Sequence, residues 1–301
     1  MPDKWEYPWF AAWDLAFHAL ALASVDIDQA KAQLKYMVKE WYQHPSGQIP
    51  AYEWELSDLN PPVQAWATYQ LYKIERMQRG EGDRVFLERM FHKLLINFAW
   101  WVNKRDQEGN NVFEGGFLGL DNISLFDRSE GMPPGVTLEQ ADATAWMAMY
   151  CLDLMRIALE LAIHNSAYED LASKFFEHFS RIVYAMHHGE YEGDIPLWSE
   201  DDGFYFDLLK DKNTGKERHL KVRSMVGLIP LCAVHVITKS TFGKLQNFSR
   251  RFDWFLQKNP HLAECFTERP DGRRVLSAVS PARLPRVLAH LFDEEKFLAR
   301  V

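Results

Sequence analysis

The stretch richest in chemistry is Gly115-Gly116-Phe117-Leu118-Gly119-Leu120-Asp121-Asn122-Ile123-Ser124-Leu125-Phe126-Asp127-Arg128-Ser129. It sets glycines beside carboxylates and phenylalanines, between two long helical patterns. Glycine lets a backbone bend sharply and approach a ligand closely. Aromatic walls desolvate a carboxyl group and raise its pKa toward the working range of a general acid. Asp121 is the candidate acid, with Phe117 and Asn122 beside it in the candidate site. Taken alone, Asp-Asn-x-Ser is also ordinary turn chemistry, an aspartate bonding its own backbone.

A second set lies near the N-terminus. Trp9, Trp13 and Phe17 recur every four residues, and Asp14 and His18 make another row at the same spacing. Residues at i and i+4 share one helix face. An acid beside Trp13, Ala11 and Ala21 is expensive to bury unless it is paired or hydrogen-bonded. Two readings stand side by side: an Asp14–His18 pair that stabilises the helix, or a polar face turned into a ligand cavity. His187-His188 lacks a metal-ligand spacing such as HExxH. Asp106 to Asn111 has some calcium-loop flavour, but its acidic positions are out of register. No metal or other cofactor is expected.

Composition narrows the classes. Aromatics are 14% of the 301 residues, including 11 Trp, which first means a core of bulky helices. Sugar rings also present apolar C–H faces to aromatic side chains, so the excess favours a carbohydrate site modestly. The net charge of −8 repels phosphate backbones and anionic lipid, which argues against a nucleic-acid partner. Cys151, Cys232 and Cys265 are few, odd in number and far apart, and read as buried thiols in a reducing compartment. With no signal-peptide core and no spanning apolar run, the expectation is a cytoplasmic protein with no membrane partner.

The elements that must position these residues read as helices. Expected spans are 9–25, 29–42, 63–78, 84–104, 138–163, 168–187, 226–237, 242–257 and 281–299. His44-Pro45-Ser46-Gly47 ends the second, because proline cannot continue a helix and glycine accepts the left-handed cap. Asn60-Pro61-Pro62 looks like a helix entry, with Asn60 at the cap. Asp106 to Asn111 is a turn into the glycine loop. Around residues 204–223 the helical rhythm breaks, and Lys212-Asn213-Thr214-Gly215 predicts a short β-hairpin. About nine helices in antiparallel pairs, with long loops on one side, fit an all-α fold of the α/α toroid type. A complete six-pair toroid has twelve.

Three ordered stretches carry a resemblance: Pro8-Trp9-Phe10-Ala11-Ala12-Trp13-Asp14-Leu15-Ala16-Phe17-His18, Gly47-Gln48-Ile49-Pro50 with Asn60-Pro61-Pro62, and Gly119-Leu120-Asp121-Asn122. They resemble the catalytic (α/α)6 domain of glycoside hydrolase family 63, the processing α-glucosidase and bacterial α-glycosidase group. Gln140-Ala141-Asp142-Ala143-Thr144-Ala145-Trp146-Met147, Asp202-Gly203-Phe204-Tyr205 and Arg223 to Pro230 are similar to its bacterial branch. The resemblance implies a single six-hairpin domain over 1–301, incomplete, with a hairpin insertion near 204–223.

It also implies hydrolysis of a terminal α-glucoside or α-mannoside with inversion, on an oligosaccharide or small glycoside. Asp121 matches the family's general acid. Trp13, Asp14 and His18 match the helix lining the sugar pocket, and Gln48 and Asn60 fall in a neighbouring pocket loop. Phe17 and Trp146 complete the candidate substrate-binding set. Gly119-Leu120 stands where several relatives read Ser-Gly-x, a departure that touches the acid's immediate hydrogen bonding. Relatives carry their general base in a Glu-bearing segment that this chain does not match, so the expectation is a fragment, nearly inactive alone. Asp142, Glu200, Asp201, Glu264 and Glu268 are the carboxylates otherwise available.

Two other classes compete. A sugar epimerase or isomerase on a similar toroid would use His18, His187 and His188 as acid and base. A non-catalytic helical fragment would associate with a partner through an unclosed helical seam.

Overall fold

A computed structural model describes residues 3–120 and 123–298. The first helix, α1 (Ala12–Leu22), starts only after Ala11 pairs with Tyr52 and the Ala12 amide donates to the Ala51 carbonyl at 2.7 Å. That anchor makes it shorter than the aromatic spacing predicts. Asp26 starts α2 (Ile27–Met37) by accepting the amides of Asp28 and Gln29, both at 3.0 Å. An N-cap of this kind contributes about 1 kcal/mol.

Helix α3 (Gln64–Arg79) ends at Gly80 with φ +86°, and α4 (Arg84–Arg105) is capped by Asp83. The cap expected from Asn60 is corrected. Val63 occupies that position without a side-chain bond, while Asn60 donates its amide to the Ala51 carbonyl at 2.8 Å. Buried Lys31 of α2 meets Glu75 of α3 at 2.6 Å and the cap residue Asp83 at 3.2 Å, tying three elements.

Strand β1 (Val136–Glu139) precedes α5 (Ala141–Ala162), which is buried on almost every side, as expected of a helix apolar around its circumference. Its partner is α6 (Ala167–His188). Helices α1 and α2, α3 and α4, and α5 and α6 pack as successive pairs, and α1, α3 and α5 also touch in series.

Chain 204–223 forms the expected hairpin, shifted by a few residues. After β2 (Trp198–Ser199) and β3 (Phe204–Tyr205), strand β4 (Asp207–Asp211) pairs antiparallel with β5 (Lys216–Leu220). β1 adds to it, setting Leu138 against Leu209. The helix expected over 226–237 is corrected to a 3-10 segment, Met225–Cys232, followed by β6 (Val234–Ile237). Pro230 removes a helical hydrogen bond, and the β-branched residues after it favour a pleat.

Helices α7 (Lys239–Lys244) and α8 (Gln246–Lys258) divide the next expected span, and Phe252 of α8 stacks on Phe176 of α6 at 4.2 Å. β7 (Phe266–Glu268) and β8 (Arg274–Ser277) join β6 in a sheet ordered β6-β8-β7, and α9 (Leu284–Leu291) follows. The chain is therefore helix-rich but not all-α. Cys151 and Cys265 are buried, whereas Cys232 is exposed, against expectation. Among the described residues no helix is long and apolar enough to cross a membrane.

Candidate functional site

The glycine loop is held at both ends by the first turn of α5. Gln140, the residue before that helix, accepts the amides of Gly115 and Gly116 on its Oε1, the latter at 2.6 Å. Its Nε2 donates back to the Gly116 carbonyl at 3.0 Å. Thr144, one turn on, accepts the Phe113 amide at 2.9 Å. Buried amides left unpaired are costly, so this one side chain fixes where the loop starts.

At the other end Arg128 donates to Asp142 at 2.6 Å, and both side chains are fully enclosed. Asp207 of β4 accepts the Ala141 amide at 2.8 Å and caps the same helix start. Burial raises the Asp207 pKa, the Asp142 carboxylate raises it further, and Arg128 opposes both.

Between these clamps the chain runs against α1. The Leu118 amide donates to the Leu59 carbonyl at 2.9 Å, and Leu118, fully buried, holds φ +50°. A non-glycine residue there carries strain of about 1–3 kcal/mol, a cost that concentrates at functional sites. Gly119 has φ +72°, and a methyl on it would stand 2.5 Å from Cζ2 of Trp13. Only glycine brings the loop this close to the indole.

Trp13 in turn packs edge-on to Phe17 at 6.1 Å, and Phe17 lies 5.5 Å from Trp66 of α3. Phe17 is 43% exposed, a ring available to a ligand face. The structure thus brings Trp13, Phe17 and the loop together. Asp121 and Asn122 themselves lie outside the described residues.

The remaining candidates divide. Asp14 is half-buried and His18 exposed, and no hydrogen bond joins them, so the helix-stabilising pair is corrected. Gln48 is buried and donates to the Leu56 carbonyl at 2.7 Å, tying its own loop. The hollow beside Asn60, shared with Gln64, Asn97 and Trp101, is about 10 Å³, room for one water. Phe117 is half-buried. So is Trp146, whose indole nitrogen is enclosed without a partner among the described residues.

Of the alternative carboxylates, Asp142 is spent on Arg128. Glu200 bonds Arg286 and the Trp198 indole, and Glu264 bonds Arg283, His187 and His188. Burial opposes ionisation of Glu264, but the His187 hydrogen bond and the Arg283 guanidinium outweigh it and hold the carboxyl at about 2. His187 spends its second nitrogen on the Tyr205 hydroxyl at 2.8 Å. Both ring nitrogens of His187 are thus committed to hydrogen bonds, and burial lowers its pKa.

Sequence reasoning missed Gln140, Arg128 and Asp207. One signal was present: an arginine in a loop and an aspartate opening an apolar helix each require a partner when buried.

The clamped glycine loop thus rests on an aromatic helix, and known proteins place the chain in the class of glycoside hydrolase domains. Residues 7–247 match the family described as mannosylglycerate hydrolase MGH1-like glycoside hydrolase domain, and the chain belongs to this family. The similarity to glycoside hydrolase family 63 drawn from the motifs is borne out.

The "Uncharacterized protein YMR196W" of Saccharomyces cerevisiae is 50% identical over 316 residues, an alignment covering 99% of this chain and 29% of that protein. The chain thus spans 29% of the length of this relative. Among solved structures, an uncharacterized conserved protein of Thermus thermophilus aligns with TM-score 0.58 at 20% identity, over 86% of this chain and 72% of that one. The GH63 mannosylglycerate hydrolase of the same organism, in complex with glucose, aligns with TM-score 0.57 at 19% identity, over 93% and 75%. These two likenesses speak to the fold.

Proposed function

We propose that this domain hydrolyses a terminal α-glycosidic bond of a glucoside or mannoside with inversion, with Asp121 as the general acid. The observation that carries the proposal is the seat of Gly119 on Trp13: two residues before Asp121, the loop touches the most aromatic face of α1. Trp13 and Phe17 then offer apolar surface to a sugar ring. The mutual contacts of α1, α3 and α5 support their placement on the inner ring of an (α/α)6 toroid.

Inversion needs an acid on the leaving oxygen and a carboxylate that activates water, about 6.5–9.5 Å away. Asp142, Glu200 and Glu264 are bound to arginines and are poor choices for that base. Proton NMR of the first product from a methyl α-glucoside or α-mannoside tests the proposal. Initial appearance of the β-anomer supports inversion, and initial appearance of the α-anomer refutes it.

A second reading has one observation in its favour. Val234 and Val236, two residues apart on β6 and so on one face of it, are 45% and 41% exposed, an apolar surface that fits association with another protein. Dimers or larger species in size-exclusion chromatography with light scattering would support it, and a monomer would count against it.

A further inference from the structure

A cavity of about 360 Å³ lies between the end of α4 and the chain that closes the glycine loop. That volume is within the range of small-molecule sites. Arg105 and Glu114 line it, held opposite one another by a 2.8 Å bond from the Glu114 amide to the Arg105 carbonyl. Their charged groups do not meet within ion-pair distance, yet each senses the other. Burial raises the Glu114 pKa while Arg105 opposes the rise, and burial lowers that of Arg105 while Glu114 opposes the fall.

Behind this lining some polar atoms are fully enclosed and out of reach of a ligand in the cavity. The Nε of Arg105, the Nε and Nη1 of Arg128 and the Oγ1 of Thr137 are enclosed without partners among the described residues. Arg128 is 4% exposed, so water does not compensate it from outside. The charges cancel in pairs, Arg105 with Glu114 and Arg128 with Asp142, which leaves little to hold a phosphate or sulfate. The other side of the cavity is apolar, with Met132, Val136 and Leu138.

We propose that this cavity binds a neutral polyhydroxylated ligand, with Glu114 accepting from one hydroxyl and Arg105 donating to its neighbour. Facing acceptor and donor suit vicinal hydroxyls, and the apolar side suits C–H faces. If the hydrolase reading holds, on which this step rests, the ligand is a further sugar unit of the substrate. Gly116 and Gln140 line the cavity and also form the clamp of the glycine loop, so an occupant touches the element that positions Asp121.

The test titrates the 301-residue chain with maltose, an α-linked mannobiose and glycerol by calorimetry, and repeats it with Glu114→Gln and Arg105→Gln. Loss of a charged partner weakens binding about 10-fold or more. Binding of the disaccharides but not glycerol assigns a sugar subsite, whereas equal occupancy by glycerol assigns a general polyol site. Wild-type affinity in both variants, or no binding of any probe, overturns the proposal.

Should a variant fail to fold, the unmodified chain decides. Saturating maltose protects Met132 from peroxide oxidation if the site is real, and unchanged oxidation overturns it. The two readings also separate. Met132 protection together with equal sugar release by wild type and Asp121→Asn leaves the site standing and the hydrolase refuted, and hydrolysis whose KM ignores Glu114→Gln does the reverse.

Discussion

Arg128 and Asp142 meet at 2.6 Å with both side chains at 0% exposure, 14 residues apart in sequence. One closes the glycine loop and the other opens α5, so the pair welds the loop to the most buried helix of the chain. The orientation of the loop is therefore a property of the core.

Breaking such a pair from one side leaves an uncompensated buried charge. Arg128→Met is expected to destabilise the chain by about 3–5 kcal/mol in urea unfolding, and adding Asp142→Asn to restore part of it. A single variant within about 1 kcal/mol of wild type would show that the charge is not buried as described.

Gln140→Ala removes the shared acceptor of two amides and a donor to the Gly116 carbonyl. A loss of about 2 kcal/mol is expected. Hydrogen exchange should quicken at Gly115 and Gly116 well before it quickens in α5. Uniform acceleration would mean that Gln140 holds the whole helix rather than the loop.

Burial pushes the carboxyl of Asp153 up to about 7, against the pull of Arg156, and raises Asp207 as well. An acid whose folded pKa is raised keeps its proton when the unfolded chain has lost it, so its contribution to stability falls as pH rises from about 4 to about 7. Asp153→Asn is expected to flatten that fall. The check is the difference in unfolding free energy between wild type and Asp153→Asn across this window, since buried His235, lowered to about 3, titrates there with the opposite sign. A difference that rises with pH would contradict the sign.

Gly119→Ala meets two obstacles, a left-handed backbone costing about 1–2 kcal/mol and the indole of Trp13 at 2.5 Å. Lower thermal stability and a shifted tryptophan emission are expected together. A normal melting temperature with unchanged emission would separate the loop from α1.

What the sequence disclosed follows from how local each signal is. The six long helices through α6 announce themselves because their apolar rows repeat at helical spacing, and the 204–223 hairpin because Lys212-Asn213-Thr214-Gly215 is turn chemistry. Residues 226–237 deceived because an apolar run has no period of its own, and only Pro230 hints that the helix fails. Trp13, Phe17 and the glycine loop were legible as a group through motif order. Their clamps were not, since Arg128–Asp142 and Gln140–Gly116 join residues 14 and 24 apart with no periodic relation. Asn60 misled for another reason: it has the residue type of a cap but spends its amide across the loop on Ala51.

The central claim is that Asp121 delivers a proton to the leaving oxygen. The most direct measurement compares sugar release by wild type and Asp121→Asn from a methyl α-glycoside and from the matching α-glycosyl fluoride, whose leaving group needs no proton. The account predicts that turnover of the methyl glycoside, however slow in the 301-residue chain, falls by about 10²–10⁴-fold while the fluoride is largely spared. Equal rates for the two proteins on the methyl glycoside, or an equal loss on both substrates, would contradict it.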